Sequence, residues 1–362
     1  MSAGHDHGAK ARPGAANISS GGADIRPGNA GTYPGHADTC PGDTDMHPDG
    51  IPGFPLKPRH LYGILGYPVG HSLSPAFHNL AFVRAGYPGV YCLFERQKED
   101  LPEFFQAARA LPLAGLSVTI PYKEHVLPFL DRISDRARLA GAVNTVLFAR
   151  GGAFGDNTDI AGFLLPLREY ATKAELPAEA LVLGAGGAAR AVLAGLREMN
   201  FAKVSVAARR PEKARELLAA LPWEKATRVS ALAWEDRVSA LNGEQGVLVV
   251  NTTPLGMQGA HPGKNPLPDE AFAMLCRKEG GRSRADKDTA APSLVYDLVY
   301  APRLTPFLAA AQERELACLD GTRFFAAQAV AQFRLWTGFE LSLEDAGRIL
   351  EEAGRVQCPV RL

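Results

Sequence analysis

The stretch "LVLGAGGAAR" limits the folds open to this chain more than any other. An apolar run, Leu181–Leu183, gives way to Gly184, Gly186 and Gly187, and then to the alanine-rich "AARAVLAGLREM" of Ala188–Met199. A buried strand that ends in glycine and turns at once into a helix is one half of a parallel βαβ unit. The spacing Gly184-x-Gly186-x-x-Ala189 is the form that lets a backbone approach a pyrophosphate. Gly184 permits the tight turn, Gly186 clears space at the helix N-terminus, and Ala189 keeps the helix close to the sheet. Unpaired N–H groups there attract anions. A tight βα turn with no ligand is the bland alternative.

The following strand decides between the two nicotinamide dinucleotides. An NAD site places Asp or Glu at the end of this strand, where it bonds the ribose hydroxyls. Here "VSVAARRPEKAR" places Arg209 and Arg210 there, with Lys213 one helical turn later. Guanidinium groups suit a 2'-phosphate, which they bind in two-pronged fashion. NADP is therefore the expected cofactor, while at least one of the three cations is read as a solvated charge at a helix start.

Strand-like and helical segments alternate from His60 onward, which predicts an α/β protein with mainly parallel sheets. "LYGILG", "VYCLFE", "AGLSVT" and "TVLFA" form a first series of strands; "ALVLG", "KVSVAA", "GVLVVN" and "SLVYDLV" form a second. The runs between them, "SPAFHNLAFVRAG" and "PEKARELLAAL" among others, carry helical periodicity. Beyond Thr322 the pattern is helical with no following strand, so those helices pack back on one domain or the other.

At 362 residues and 46% hydrophobic content the chain can bury two domains. Its formal net charge of zero gives no field that favours nucleic acid, and no apolar run approaches the roughly 20 residues needed to span a membrane. Five cysteines without C-x-x-C spacing fit reduced thiols and a cytoplasmic location. Residues 1–57, rich in Gly, Pro, Asp and His, read as a disordered low-complexity tail with no secretory signal, and its histidines as solvated rather than metal-binding. Residues 277–292 read as a charged surface insertion. No metal site is expected.

The first series carries the candidates for chemistry. "GYPVGHSLSP" places Ser72 and Ser74 in a loop after the first strand, where two neutral donors suit a carboxylate. Ser74 before Pro75 is equally a good helix N-cap. "LSVTIPYKE" ends a strand at Thr119 and offers Lys123 just past Pro121, either as a solvated charge at a helix start or as a proton donor. "GAVNTV" and "GDNTDIAGF" present Asn144 and Asp159, which taken singly read as a turn residue and an N-cap.

Taken together, "GYPVGHSLSP", "LSVTIPYKE", "GAVNTV", "GDNTDIAGF", "GAGGAAR", "NTTPLGM", "DLVYAPRLTPFL" and "DGTRFFAAQAVAQF" resemble the shikimate dehydrogenase family in order and spacing, from about residue 60 to 340. The resemblance implies reversible, NADP-linked reduction of 3-dehydroshikimate to shikimate, a step of chorismate and aromatic amino acid biosynthesis. It also implies a substrate-binding domain (58–158 with 322–362) and a Rossmann-type NADP domain (159–321) flanking a cleft, in a monomer or homodimer.

By the same resemblance Ser72 and Ser74 match the hydroxyls that bind the substrate carboxylate. Thr119, Asn144, Asp159 and Gln328 match residues that bond the ring hydroxyls and reacting centre, and Tyr300 matches a residue near substrate and nicotinamide. Lys123 and Asp159 match the catalytic pair. Gly184, Gly186, Gly187 and Ala188 match the pyrophosphate loop, Arg209, Arg210 and Lys213 the 2'-phosphate contacts, and Thr252, Thr253 and Gly321 positions beside the cofactor. Phe324 and Phe325 stand where the family carries Met-Leu, Arg323 stands where small residues are common, and Ala208-Arg209-Arg210 replaces Asn-Arg-Thr.

Mixed activity on quinate, a catalytically silent metabolite-sensing module and a folate-linked dehydrogenase are the competing readings. The silent module has no need of both Lys123 and Asp159, and the folate enzyme leaves Ser72 and Ser74 unexplained. Deleting residues 1–57 is expected to leave turnover intact; lost activity in the truncated protein would contradict the reading of the tail.

Overall fold

The computed structural model describes residues 58–241, 245–280 and 291–357; the predicted tail and residues 281–290 of the predicted insertion lie outside them. The first series of apolar runs forms β1 (His60–Gly66), β2 (Gly89–Glu95), β3 (Leu113–Val118), β4 (Arg132–Ile133), β5 (Thr145–Ala149) and β6 (Gly152–Asp156). They make one sheet in the order β2-β1-β3-β5-β6-β4. Helices α1 (Ser74–Arg84), α2 (Leu101–Ala110) and α3 (Asp135–Ala140) connect them. The expectation of parallel pairing holds for β1 with β2 and β3. It fails at β5, which runs antiparallel to both β3 and β6. Only Arg150 and Gly151 separate β5 from β6, too short for a crossover, so the chain folds back as a hairpin.

Helix α4 (Asp159–Ala171) leads to the second sheet. It contains β7 (Glu179–Leu183), β8 (Lys203–Ala208), β9 (Arg228–Ala233), β10 (Val247–Asn251), β11 (Leu294–Asp297) and β12 (Ala317–Leu319). Between them run α5 (Gly187–Glu198), α6 (Pro211–Ala219), α7 (Asp269–Gly280) and α8 (Pro306–Gln312). The order is β12-β11-β10-β7-β8-β9 with every pair parallel. Helices cover both faces, which is why "VLVVN" of β10 is buried at all five positions and shows no alternation. Strand order reverses between β7 and β10, the place where doubly wound sheets open a crevice for a ligand. The loop of Gly184 starts there. Helix α7 runs on to Gly280, so Arg277–Gly280 belong to a helix and not to an insertion.

Helices α9 (Gly321–Thr337) and α10 (Leu343–Gln357) close the chain. Phe325, Ala329, Phe333 and Trp336 of α9 join Ile349 and Leu350 of α10 in one core with Tyr62, Phe77 and Phe82, which places both helices on the first sheet. Asp320 caps α9 by accepting from the N–H groups of Thr322 and Arg323, and Gly338, at φ +74°, ends it. Near its start α9 crosses α4 so closely that a β-carbon at Gly162 would lie 2.9 Å from Cβ of Gln328.

Trp336 fastens the other end by donating from Nε1 to the carbonyl of Val146 at 3.0 Å. Its indole covers Gly115 of β3, where a β-carbon would meet Nε1 at 2.4 Å. The indole is held on both sides and has nowhere to move. Gly115→Ala is therefore expected to cost about 1–3 kcal/mol through overpacking. A lower urea midpoint with unchanged slope would show it.

Candidate active site

The first half of the site is built where β3 and β5 meet the start of α4. Thr119, just past β3, donates its N–H to the carbonyl of Leu65, and its own carbonyl accepts from Tyr122. Lys123 follows in a turn ahead of a single 3-10 turn at Leu127–Phe129, so it does not start an α-helix. The carbonyl of Lys123 accepts from the N–H of Val143 at 2.8 Å, which ties the lysine to the neighbour of Asn144.

The side chains then converge. Lys123 Nζ lies 2.5 Å from Asp159 Oδ2. Asn144 Nδ2 donates to the other carboxylate oxygen at 2.8 Å. Asn144 Oδ1 accepts from the N–H of Thr158 at 2.7 Å and from the hydroxyl of Thr145 at 2.9 Å. Asp159 is thus not an N-cap: Thr158 holds that place, and Asp159 is the first helical residue. Nor is Asn144 an idle turn residue, since its amide spans the gap between β5 and α4. With the backbone served by Asn144, both oxygens of Asp159 are left for side chains. Asp159 is buried, while the side chain of Lys123 keeps 14% of its surface open, so the pair faces solvent through its ammonium.

The serine loop lies at the end of β1, and both hydroxyl-bearing residues are buried. Ser74 does not cap α1. It is already helical, Leu73 occupies the cap position without a side-chain bond, and Ser72 Oγ accepts from the N–H of Ser74 at 3.2 Å. The hydroxyl of Ser74 lies beside that of Tyr91, and the hydroxyl of Ser72 beside that of Tyr300. Burial pushes both phenols above their ordinary range, so they act as neutral groups. Phe325, one of the two departures from the family pattern, packs against the ring of Tyr300 at 4.9 Å between centroids. Gln328 stands on α9 against Gly162, one turn along α4 from Asp159, and its amide makes no hydrogen bond among the described residues while keeping some exposure.

The second half belongs to the glycine loop. Gly184 has φ +110°, and a β-carbon there would lie 2.7 Å from Thr252 Oγ1, so no other residue fits. Gly186 precedes α5 in extended conformation, and a β-carbon there would meet nothing within 4 Å. That open space at a helix N-terminus is what a dinucleotide diphosphate requires. Arg209 and Arg210 are exposed just past β8. Lys213 lies 3.9 Å from Glu124, which Arg190 also holds at 2.9 Å. The hydroxyls of Thr252 and Thr253 donate to the carbonyl of Leu183 and the side chain of Asn251. Gly321 meets a packing demand, since a β-carbon there would lie 2.2 Å from the carbonyl of Val299.

The two halves meet at the ion pair of Arg190 with Glu124 and again at Gly187. The stem of Lys123 lies over Gly187, where a β-carbon would be 3.2 Å from Cδ of the lysine. An ammonium from the first sheet is therefore seated at the N-terminal turn of α5, beside the space at Gly186. Among the described residues no group of three or more His, Cys, Asp or Glu could hold a metal ion.

The family model for the shikimate dehydrogenase substrate-binding domain matches residues 64–146. The shikimate dehydrogenase (NADP(+)) of Oleidesulfovibrio alaskensis is 44% identical over 304 residues, 84% of this chain and 99% of the relative. The chain belongs to the shikimate dehydrogenase family. Among solved members of the fold, the Thermus thermophilus shikimate 5-dehydrogenase, crystallised with NADP(H) and shikimate, is 34% identical with a TM-score of 0.65. It covers 81% of this chain, which in turn covers 99% of it. A quinate dehydrogenase from Corynebacterium glutamicum in complex with NAD is 30% identical with a TM-score of 0.67, covering 81% of this chain and matched over 98% of its own length.

Two supports of the site escaped the sequence reading, although their motifs, "NTTPLGM" and "DLVYAPRLTPFL", were singled out. Asp297 ends β11 and accepts from the N–H of Val299, from Asn251 Nδ2 and from the hydroxyl of Thr305. It thereby holds both the segment that carries Tyr300 and the one that carries Thr252 and Thr253. Burial pushes its pKa up to about 6. A carboxylate with a raised pKa contributes stability that is fully present below its unfolded value and lost as pH rises through the folded one. Unfolding free energy is thus expected to fall by about 3 kcal/mol between roughly pH 4 and 6 from this residue alone. Denaturant titrations of wild type and Asp297→Asn should show that difference in slope. Identical pH dependence would contradict it.

Proposed function

We propose that this chain carries out the reaction of its family, reversible NADP-linked reduction of 3-dehydroshikimate to shikimate, and that Lys123 and Asp159 do the proton chemistry. The observation that carries this reading is the Lys123–Asp159 pair seated over Gly187 at the start of α5. NADPH, when bound, supplies a hydride to the ketone carbon. Negative charge then grows on the ketone oxygen, and an ammonium that donates a proton there contributes roughly 10²- to 10⁴-fold. Lys123 is that donor, and in the oxidative direction it takes the proton back.

Asp159 orients the ammonium, and Asn144 keeps Asp159 from rotating. Ser72 and Ser74 bind the substrate carboxylate, with Tyr300 and Tyr91 holding their hydroxyls in place. Thr119 and the unpartnered amide of Gln328 bond the ring hydroxyls. The dinucleotide lies along Gly184, Gly186, Gly187 and Ala188, past Thr252, Thr253 and Gly321, with its 2'-phosphate at Arg209, Arg210 and Lys213. In this reading residues 58–158 and 322–362 form the substrate half and 159–321 the cofactor half. The protein works in the cytoplasm as a monomer or homodimer. The exposed Arg209 and Arg210 support NADP over NAD, the cofactor in the quinate-enzyme neighbour.

Absorbance of NADPH during shikimate oxidation tests the reading, with quinate and NAD as the comparison substrates. Lys123→Ala is expected to lower turnover by several orders of magnitude while shikimate affinity changes little. Wild-type-like turnover in that variant would sink the assignment, and a wild-type protein that binds shikimate without oxidising it would favour a metabolite sensor.

A further inference from the structure

Gln332 lies one helical turn beyond Gln328 on α9, and its side chain is buried in a layer of polar groups beneath the site. Its Oε1 accepts from Ser117 at 3.0 Å. Its Nε2 donates to the hydroxyl of Thr145 at 2.9 Å and to the backbone carbonyl of Asn144 at 3.3 Å. Ser117 in turn accepts from the hydroxyl of Tyr91 at 2.6 Å, and Thr145 donates to Asn144 Oδ1. An amide on an otherwise apolar stripe of Phe325, Ala329, Phe333 and Trp336 has no packing reason to be there.

The bonds in this layer have a fixed direction. A carboxylate only accepts, so Asn144 must turn its NH₂ toward Asp159. A backbone N–H only donates, so Asn144 must turn its oxygen toward Thr158. A backbone carbonyl only accepts, so Gln332 must turn its NH₂ toward Asn144 and Thr145. Thr145 accepts from Gln332 and directs its proton to Asn144 Oδ1 at 2.9 Å, with the hydroxyl of Thr158 also within 2.9 Å. Gln332 Oε1 is left for Ser117, whose oxygen receives Tyr91. The series runs from Tyr91, which touches Ser74, to the carboxylate that holds Lys123. Gln332 is the member that comes from a different part of the chain, and it grips both the backbone and the neighbour of Asn144.

We propose that Gln332 is a positioning residue for the reaction. It fixes the orientation of Asn144, through Asn144 that of the Asp159–Lys123 pair, and it registers α9, with Gln328, against that pair. The proposal rests on the functional reading above and adds a residue that touches neither substrate nor cofactor. Its loss lowers the rate of the chemical step and leaves dinucleotide binding alone.

The test uses Gln332→Leu and Gln332→Glu in the full chain, with melting temperature and NADPH binding measured beside kinetics. In Gln332→Leu, kcat should fall roughly 10- to 100-fold, the cost of a small misplacement of a catalytic group, with little change in KM for shikimate. In Gln332→Glu the introduced carboxyl can donate to Thr145 and accept from Ser117 only while protonated. Activity should be close to wild type at low pH and fall as that carboxyl ionises, a limb absent from the wild-type profile. The titratable neighbours His78 and Tyr91 stay neutral in this range, since burial holds His78 near 3 and Tyr91 above its ordinary value; Asp159 and Lys123 lie beyond Asn144 and are common to both proteins. Should Gln332→Leu fail to fold, the Gln332→Glu profile decides.

A substrate-free readout is the ¹⁵N-labelled side-chain amide of Asn144, expected to be protected from solvent exchange in wild type and exposed to it in Gln332→Leu. Unchanged protection, or a Gln332→Leu enzyme with wild-type kcat, would overturn the role of Gln332. Absence of shikimate oxidation in wild type would instead overturn the functional reading, and the Asn144 amide would still decide the positioning claim.

Discussion

The site depends on one side chain, the amide of Asn144, more than on any other. Its carbonyl oxygen receives the N–H of Thr158, the cap residue of α4, and its NH₂ holds the carboxylate of the next residue. The N–H of the cap residue Thr158 goes to Asn144 and that of Ile160 to Asn157 Oδ1, which frees the cap-adjacent carboxylate from backbone duty. Asp159 can then spend one oxygen on Asn144 and the other on Lys123. A buried ion pair is costly unless its remaining lone pairs are satisfied, and breaking one by removal of a partner leaves an uncompensated charge. Here both carboxylate oxygens are taken, which gives the pair a single geometry instead of several.

That geometry becomes chemistry because the two sheets meet at a glycine. Lys123 follows β3 of the first sheet and Gly187 opens α5, and a β-carbon at position 187 would crowd the lysine stem at 3.2 Å. The glycines of "GAGGAAR" therefore divide their work. Gly184 answers to Thr252 and to its own positive φ, Gly186 leaves space for a diphosphate, and Gly187 lies beneath the stem of Lys123. A motif usually read as a dinucleotide fingerprint carries one position that packs against Lys123 from the other half of the site.

Much of this was legible in the sequence wherever the signal is local. Continuous apolar runs marked the parallel strands of the second sheet, and β8 was read to the residue. The four strands that escaped lacked such runs: β4 and β12 are only two and three residues long, β6 is "GAFGD", two of whose five residues are glycine, and β9 is a half-exposed edge. Parallel pairing was over-extended because strand direction depends on connection length, and the boundary between β5 and β6 was not drawn. Ser74 shows a different limit. Its sequence context, before a proline, is that of a cap, yet helix α1 takes it in and leaves its hydroxyl to Tyr91, a partner 17 residues away that no local rule can name.

Gln332 and Asp297 illustrate the same limit from inside the core. Both stand in motifs that were recognised, and neither draws attention by spacing, because what makes each matter is a set of donors and acceptors supplied by distant strands. The one signal available was negative: an amide inside an apolar helical stripe and an acid at the end of an apolar strand are each unfavourable unless paired. Polar residues at positions that periodicity assigns to the core are thus pointers to a network, and the direction of that network follows from which of its ends can only accept. In this protein the end is Asp159. Its charge sets the orientation of the Asn144 amide, while the backbone carbonyl of Asn144 sets that of Gln332 and so of Ser117 and Tyr91. The fold supplies two sheets and a crevice common to many functions; the order of donors beneath the crevice gives the Lys123–Asp159 pair a fixed address.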